Sequence, residues 1–218
     1  MKKIHLIWDF DGTLVDSAQD VFTALDRAIE MEGLSKKDQI APFRIGPTID
    51  KILEISFPTA IMTKEKRTSA VARFRQLYDN CGFAHTVPFA GIETILKNRS
   101  VIHHVLTNKP DMATNTILDK TGLKKYFFSV ITPYSFMKKP GDRKQSKTEL
   151  FAYFKGLYPG DTLIGIGDMA TDCIAAKENG LKAIGVLWGT GTRQELEQAG
   201  CDDIVNSPAE LEAVLKVL

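Results

Sequence analysis

The hydrophobic positions of the chain fall into short apolar runs, and the first run ends in two aspartates. Apolar residues dominate residues 4–8, and such a run predicts a buried strand. Comparable runs recur after residue 87, separated by segments with helical spacing. These further predicted strands cover residues 101–106, 127–131, 163–166 and 183–187. Alternating strands and helices predict an α/β fold with a doubly wound, mostly parallel, Rossmann-like sheet.

Between the first and second predicted strands, the pattern is entirely helical. Apolar residues recur at three- and four-residue spacing around residues 21–29, 49–55 and 70–78. Residues 15–86 show no strand pattern. Because this block interrupts the alternation directly after the first strand, we predict an α/β core domain formed by residues 1–14 and 87–218. Residues 15–86 are predicted to form an inserted, all-helical cap domain.

The composition narrows the class of protein. Hydrophobic residues make up 44% of the 218 residues, which is enough for a substantial core. The formal net charge of +1 argues against a surface for nucleic acid or membrane, and the apolar runs are too short to span a bilayer. The three cysteines are scattered, as expected for reduced thiols. We therefore expect a cytoplasmic protein with neither nucleic acid nor membrane as a partner.

Three of the predicted strands end in polar residues that can carry chemistry. These residues are Asp9 with Asp11, Thr107 with Asn108, and Asp168 with Asp172. The carboxyl ends of parallel strands lie at one edge of a sheet, so up to four carboxylates can meet in one crevice. Such carboxylates raise one another's pKa unless a cation offsets their charge. Because carboxylate oxygens suit Mg²⁺, which also binds substrate phosphates, the sequence predicts a Mg²⁺ site at this edge.

The spacing of the first two aspartates fits phosphoryl transfer. An aspartate at a strand end, beside a metal, can act as a nucleophile and form an aspartyl-phosphate. A second aspartate two residues later can protonate the leaving oxygen and then activate water. Uncatalysed hydrolysis of phosphate monoesters is among the slowest reactions known, which justifies several catalytic groups in one site.

Four segments, in this order, resemble the four motifs of the haloacid dehalogenase-like hydrolase superfamily. They are Asp9-Phe10-Asp11-Gly12-Thr13-Leu14-Val15-Asp16-Ser17, Thr107-Asn108-Lys109, a Lys-Pro pair, and Gly167-Asp168-x-x-x-Asp172. Together they span nearly the whole chain, and the helical block is similar to the family's first-type cap. Three further segments look most like the phosphoglycolate phosphatase branch. They are Asp16-Ser17, Arg44-Ile45-Gly46-Pro47 and Gly185-Val186-Leu187-Trp188-Gly189.

The resemblance implies a role for each residue of the first motif. Asp9 would be the nucleophile and a metal ligand. Asp11 would be the acid/base, and its backbone carbonyl would also bind Mg²⁺. Thr13 would orient Asp11, although a plain turn residue is the alternative.

The second and fourth motifs carry the remaining roles that the resemblance implies. Thr107 and Asn108 would bind the phosphoryl oxygens of the substrate. Asp168 would be a metal ligand, and Asp172 would support the residues that hold the metal.

The third motif departs from the family pattern, which usually shows Lys-Pro-x-Pro before a helix. Residues 138–147 instead contain several lysines, some of which belong to a solvated basic loop. Counting forward from the preceding strand favours Lys139, which precedes Pro140. Counting back from Asp168 favours Lys144. We predict Lys139 as the catalytic lysine, with Lys144 as the alternative.

The residues and the resemblance together predict a Mg²⁺-dependent phosphatase. It would hydrolyse a small phosphate monoester, phosphoglycolate-like by resemblance, so its partner would be a small phosphorylated metabolite. One alternative is a sugar phosphomutase of the same superfamily. The β-phosphoglucomutase branch usually has a histidine in its first cap helix, but no histidine occurs between His5 and His85. The other alternative is a non-catalytic binding or regulatory protein with this fold.

Overall fold

The structure is a computed structural model that describes residues 2–137 and 143–217. The chain divides into two compact units. One unit comprises Met1–Asp16 and Pro88–Leu218, and the other comprises Ser17–Val87. The chain therefore leaves the first unit after Asp16 and returns to it at Pro88.

The described strands all lie before residue 17 or after residue 86. In chain order they are β1 (Ile4–Trp8), β2 (Val15–Asp16), β3 (Val87–Pro88), β4 (Ile102–Leu106), β5 (Phe127–Ile131), β6 (Thr162–Gly167), β7 (Lys182–Val186) and β8 (Asp203–Val205). Six of them form one sheet in the order β5-β4-β1-β6-β7-β8, and every described pair in it is parallel. The predicted fold class, a doubly wound α/β sheet, is confirmed.

Three short strands were not predicted. Strand β8 extends the sheet by three residues, of which only Val205 is fully buried, so it has little apolar pattern. Strands β2 and β3, two residues each, form a separate two-stranded sheet. The expectation of no strand within residues 15–86 was therefore wrong at Val15–Asp16. Two-residue strands depend on tertiary pairing rather than on a run of apolar residues.

The helices follow the predicted spacing closely. In chain order they are α1 (Ala18–Glu30), α2 (Ile49–Ser56), α3 (Lys64–Asp79), α4 (Ile92–Leu96), α5 (Asp111–Thr121), α6 (Lys147–Leu157), α7 (Ala170–Glu178), α8 (Arg193–Gln198) and α9 (Pro208–Leu215). Two short 3₁₀ helices cover Lys36–Asp38 and Lys124–Tyr126. The first three α-helices all belong to the Ser17–Val87 unit. In the part of the chain that the structure describes, no helix is long and apolar enough to cross a membrane.

Side-chain caps fix where several helices of the sheet-containing unit begin. The Ser146 hydroxyl accepts a hydrogen bond from the Glu149 backbone N–H, and the Glu149 carboxylate accepts one from the Ser146 N–H. Thr192 and Glu195 form the same reciprocal box at α8. Such boxes satisfy amide groups that the first helical turn leaves unpaired. At α6 the box places Lys147 at the first helical position.

Candidate active site

The sheet order places three functional strand ends side by side. Strand β1 lies between β4 and β6, and Trp8 pairs with Val105 on one side and Ile166 on the other. Each of the three strands is followed directly by a predicted site residue. These residues are Asp9 after β1, Thr107 after β4 and Asp168 after β6. In open α/β sheets, ligands bind in the crevice outside the carboxyl ends of the strands. The site therefore lies where the topology favours it.

Asp9 directly follows β1 and is buried. Its backbone N–H donates to the Ile166 carbonyl at 2.8 Å, and the residue is only 8% exposed. Burial raises the pKa of Asp9; Lys147 lowers it, but Asp172 and Asp11 raise it further, and the net direction is upward. A buried carboxylate in this position needs positive charge nearby to remain ionised.

Lys147 supplies one such charge. Its Nζ lies 2.7 Å from Asp9 Oδ1 and also donates to Asp172 Oδ1. Burial lowers the pKa of Lys147, but Asp172 and Asp9 raise it more, so the pKa stands above its ordinary value. Lys147 is therefore a buried ammonium shared between two carboxylates.

Asp168 is fully buried and is held by two threonines. Thr13 Oγ1 donates to its Oδ1 at 3.2 Å, and the Thr190 N–H donates to its Oδ2 at 2.8 Å. Burial, together with the charge of Asp9, raises the pKa of Asp168 to about 6, although the Thr190 hydrogen bonds lower it. A Cβ at Gly12, whose φ is +80°, would collide with this carboxylate, so glycine lets the loop approach it closely.

Asp172 lies in the first turn of α7. Its Oδ2 accepts a hydrogen bond from the Met169 N–H at 3.1 Å, and its Oδ1 accepts one from Lys147. Burial raises the pKa of Asp172; Lys147 lowers it and Asp168 raises it, with a net upward shift. Its contact with Lys147 links Asp172 indirectly to Asp9.

Three of these carboxylates could hold a metal ion. One oxygen each from Asp9, Asp168 and Asp172 lies within 4.8 Å of the others, and all three residues are buried. Three buried carboxylates with one ammonium leave an excess of negative charge, which a divalent cation would offset. Oxygen donors of this kind suit Mg²⁺. The residues present therefore fit the predicted metal.

Asp11 has a different partner. Lys109 Nζ lies 2.9 Å from Asp11 Oδ1 and 3.0 Å from Oδ2. The Asp11 side chain is 18% exposed, and the Lys109 side chain only 5%. Asp11 thus lies only two residues after Asp9 but contacts a different ammonium, that of Lys109.

The second motif lies beside β1, at the end of β4. Thr107 is buried, and its N–H donates to the Ile131 carbonyl at 3.1 Å. Its Oγ1 accepts a hydrogen bond from the Lys109 N–H at 3.1 Å. Asn108 is half-buried between them. The turn after β4 therefore places Thr107, Asn108 and Lys109 at the same sheet edge as Asp9.

Of the two predicted lysines, the structure describes only Lys144, and the contacts described for its ammonium are with Tyr134 rather than Asp9. Lys144 Nζ donates to the Tyr134 hydroxyl at 2.7 Å and lies over that ring. Lys139 lies outside the described residues. The choice between these two residues stays a prediction, while the geometry introduces a third candidate, Lys147.

Sequence reasoning missed Lys147 because it treated residues 138–147 as one basic loop. A signal was available: Ser146-x-x-Glu149 is a capping-box pattern, which predicts that a helix begins at residue 147. A helix that follows a strand of a parallel sheet starts at the edge where the strand ends. Thr13 also has a partner that sequence reasoning did not name, because its described hydrogen bond goes to Asp168 rather than Asp11.

Most of the chain matches the model of a known protein family. The family model described as haloacid dehalogenase-like hydrolase matches residues 6–186. This range contains all the site residues named above except Thr190.

Individual relatives extend the likeness to the full chain. A phosphoglycolate phosphatase of Aquifex aeolicus is 29% identical over 191 residues, covering 84% of each chain. A phosphoglycolate phosphatase of Vibrio cholerae is 25% identical and covers 100% of this chain and 99% of its own. Among solved structures, one described as a predicted phosphatase from Clostridium acetobutylicum has a TM-score of 0.78, with 26% identity and full coverage of both chains.

Proposed function

Since the chain belongs to the haloacid dehalogenase-like hydrolases and is a phosphatase, we propose that it hydrolyses a small phosphate monoester through an aspartyl-phosphate, with Mg²⁺ as cofactor. The observation that supports this most strongly is the buried group of Asp9, Asp168 and Asp172 with Lys147 on Asp9. It would combine a nucleophile, metal ligands and a cation at one edge of the sheet.

The metal would be held by the carboxylates of Asp9 and Asp168 and by the backbone carbonyl of Asp11, with Asp172 supporting them. When bound, Mg²⁺ would supply positive charge that offsets the repulsion between these carboxylates and the phosphate. Thr13 and Thr190 hold Asp168 by hydrogen bonds, and such outer contacts orient metal ligands.

Asp9 is the nucleophile in this proposal. One carboxylate oxygen of Asp9 attacks phosphorus, the bond from phosphorus to the leaving oxygen breaks, and Asp11 gives its proton to that oxygen. An alcohol leaves, and Asp9 carries the phosphoryl group. Asp11, now a carboxylate, then takes a proton from a water molecule that attacks phosphorus. Inorganic phosphate leaves, and both aspartates return to their starting state.

Among the residues that the structure describes, Lys147 rather than Lys144 is the lysine that the contacts favour for this reaction; Lys139 lies outside them. Its ammonium lies 2.7 Å from Asp9 Oδ1, where it would offset the charge of the nucleophile and the incoming phosphate. Preorganised charge in a buried site contributes more than the same charge in water. Thr107 and Asn108, at the neighbouring strand end, would bind the phosphoryl oxygens.

The substrate is proposed from the relatives. Phosphoglycolate phosphatases cover 84% to 100% of this chain, so a small phosphorylated acid such as phosphoglycolate is the first substrate to test. We further propose that the helical unit, Ser17–Val87, acts as the cap that selects the substrate. Among the described residues, no specific contact favours the alternatives of a phosphomutase or a non-catalytic protein.

Metal dependence tests this function. The protein should release phosphate from p-nitrophenyl phosphate and from phosphoglycolate when Mg²⁺ is present. EDTA should abolish both activities, and added Mg²⁺ should restore them, because the carboxylate cluster repels phosphate without a cation. Full turnover in metal-free buffer would contradict the metal assignment. Absence of turnover with any phosphate monoester would contradict the proposed function itself.

A further inference from the structure

Lys109 and Asp11 form a second lysine–aspartate contact in the site, separate from the contact of Lys147 with Asp9. One ammonium lies within 3.0 Å of both Asp11 oxygens, at 2.9 Å from Oδ1 and 3.0 Å from Oδ2. The Lys109 side chain is only 5% exposed. An ammonium this deeply buried is costly unless a carboxylate faces it, so the position of each group depends on the other.

The backbone around Lys109 fixes the direction of its side chain. The Lys109 N–H donates to Thr107 Oγ1 at 3.1 Å, and the Lys109 carbonyl accepts from Thr114 Oγ1 at 3.4 Å. Pro110 follows at the N-cap position of α5. The lysine is therefore anchored between the end of β4 and the start of α5, and it reaches across to the loop after β1.

We propose that Lys109 is the positioning residue for Asp11, an inference that rests on the proposed function. It holds the Asp11 carboxyl in place to protonate the leaving oxygen. When the bond from phosphorus to that oxygen breaks, the proton moves from Asp11 to the leaving alcohol and a negative charge remains on Asp11. That charge forms next to an ammonium that is already in place, so little reorganisation accompanies the transfer.

The two buried lysines thus have different tasks. Lys147 faces the nucleophile and offsets charge around phosphorus. Lys109 faces the acid/base, so its contribution depends on how much the leaving group needs a proton. This difference makes the proposal testable, because p-nitrophenolate leaves readily without protonation, whereas the alkoxide of an alkyl phosphate does not.

The experiment measures kcat/KM of Lys109→Met with p-nitrophenyl phosphate and with alkyl phosphates, including phosphoglycolate. kcat/KM reports the steps up to release of the alcohol, so it isolates the proton donation. We expect a loss for alkyl phosphates that exceeds the loss for p-nitrophenyl phosphate by about tenfold to hundredfold, which is part of what general acid catalysis supplies.

Two further variants test whether Lys109 acts through Asp11. In an Asp11→Asn background, Lys109→Met should change kcat/KM for alkyl phosphates by less than about twofold, because residues that act as a unit are non-additive. Lys109→Arg keeps the charge and should show a smaller dependence on the leaving group than Lys109→Met. It also keeps the test available if the methionine variant does not fold.

Lys124→Met is the matched control. Lys124 forms a lysine–aspartate contact of the same length, 2.9 Å to Asp119 Oδ2, but both side chains are largely exposed and lie on α5 and the segment after it. Its kinetics should equal those of the wild type with every substrate.

The possible results separate the proposals. Equal losses of Lys109→Met with both substrate types would overturn the positioning role and indicate phosphate binding or a structural role. Full additivity with Asp11→Asn would overturn it as well. Wild-type protein that hydrolyses neither substrate would instead contradict the proposed phosphatase function, leaving no kinetics in which Lys109 could act.

Discussion

At the level of single residues, the three buried carboxylates of Asp9, Asp168 and Asp172 have few positively charged partners among the described residues. Lys147 is shared by Asp9 and Asp172, while described donors to Asp168 are the neutral groups of Thr13 and Thr190. All three aspartates have a raised pKa, chiefly because they are buried. The protein alone therefore leaves net negative charge in the site. A bound cation has to offset this charge before the phosphate dianion can bind.

Replacing Lys147 should show how much its charge contributes. In Lys147→Met we expect turnover of p-nitrophenyl phosphate to fall by about 10²–10³, the typical loss when one preorganised electrostatic contact is removed. Lys144→Met should change turnover little, because its described partner is the Tyr134 hydroxyl. Steady-state rates at saturating Mg²⁺, with thermal unfolding to verify folding, provide the measurement.

Lys139→Ala belongs in the same series, since the sequence favours Lys139 and that residue lies outside the described part of the chain. A large loss in Lys139→Ala or Lys144→Met, with near-native rates in Lys147→Met, would return the role to the residues chosen from sequence. It would also make the contact of Lys147 with Asp9 purely structural.

At the scale of elements, the sequence predicted what regular periodicity encodes. The five longer strands of the sheet and the helices between them were identified from apolar spacing, and the polar residues at their ends led to Asp9, Thr107 and Asp168. Lys147 escaped because its position depends on where α6 begins after an irregular basic segment. The contacts of Lys109 with Asp11 and of Thr13 with Asp168 depend on neighbouring turns, whose three-dimensional course has no periodic signal.

Strand β4 also places two histidines, His103 and His104, in the core. His104 Nε2 lies 2.9 Å from His5 Nδ1, and His104 Nδ1 lies 2.8 Å from the Ser129 hydroxyl. On the preceding residue, His103 Nδ1 accepts a hydrogen bond from Trp8 Nε1 at 3.1 Å. Burial lowers the pKa of His103 to about 4; the hydrogen bond with the Asn98 carbonyl opposes this shift, and Arg99 adds to it. Burial lowers the pKa of His104 to about 3, and the charges of His5 and His103 add to this shift. Both imidazoles are neutral in the folded protein at neutral pH.

This burial predicts loss of stability in acid. The unfolded chain binds protons on these histidines as the pH falls below their ordinary pKa of 6.5, while the folded protein does not until near pH 3 to 4. The contribution of these neutral histidines to the free energy of unfolding should therefore be fully present above about pH 7. Below about pH 6, the free energy of unfolding should fall by up to about 1.4 kcal/mol per pH unit for each histidine. Urea unfolding at several pH values measures this.

His104→Gln is the comparison for that measurement. Glutamine keeps polar atoms in the core but cannot take up the proton, so its unfolding free energy should decline less steeply with falling pH than that of the wild type. The difference in slope is the readout, whatever the variant's stability at neutral pH. Parallel curves for the two proteins would show that His104 does not contribute to acid sensitivity.

At the scale of the whole molecule, the chain inserts one unit between the first strand and the rest of a parallel sheet. The first motif lies at the end of β1, directly before the chain leaves for Ser17–Val87, and the remaining motifs follow after Pro88. The proposed nucleophile and acid/base, Asp9 and Asp11, are thus encoded before the helical unit, and Thr107, Lys147 and Asp168 after it. All of them converge because β1 lies at the centre of the sheet, between β4 and β6.

Asp9 is proposed to carry the phosphoryl group during turnover. Rapid acid quenching during reaction with p-nitrophenyl phosphate and Mg²⁺, followed by proteolysis and mass spectrometry, measures this directly. We expect a phosphoryl group on the side chain of Asp9 that hydroxylamine removes. In folded Asp9→Asn we expect neither this adduct nor turnover. Near-native turnover of Asp9→Asn, or a burst of product from the wild type without any adduct on Asp9, would contradict it and favour direct attack by water.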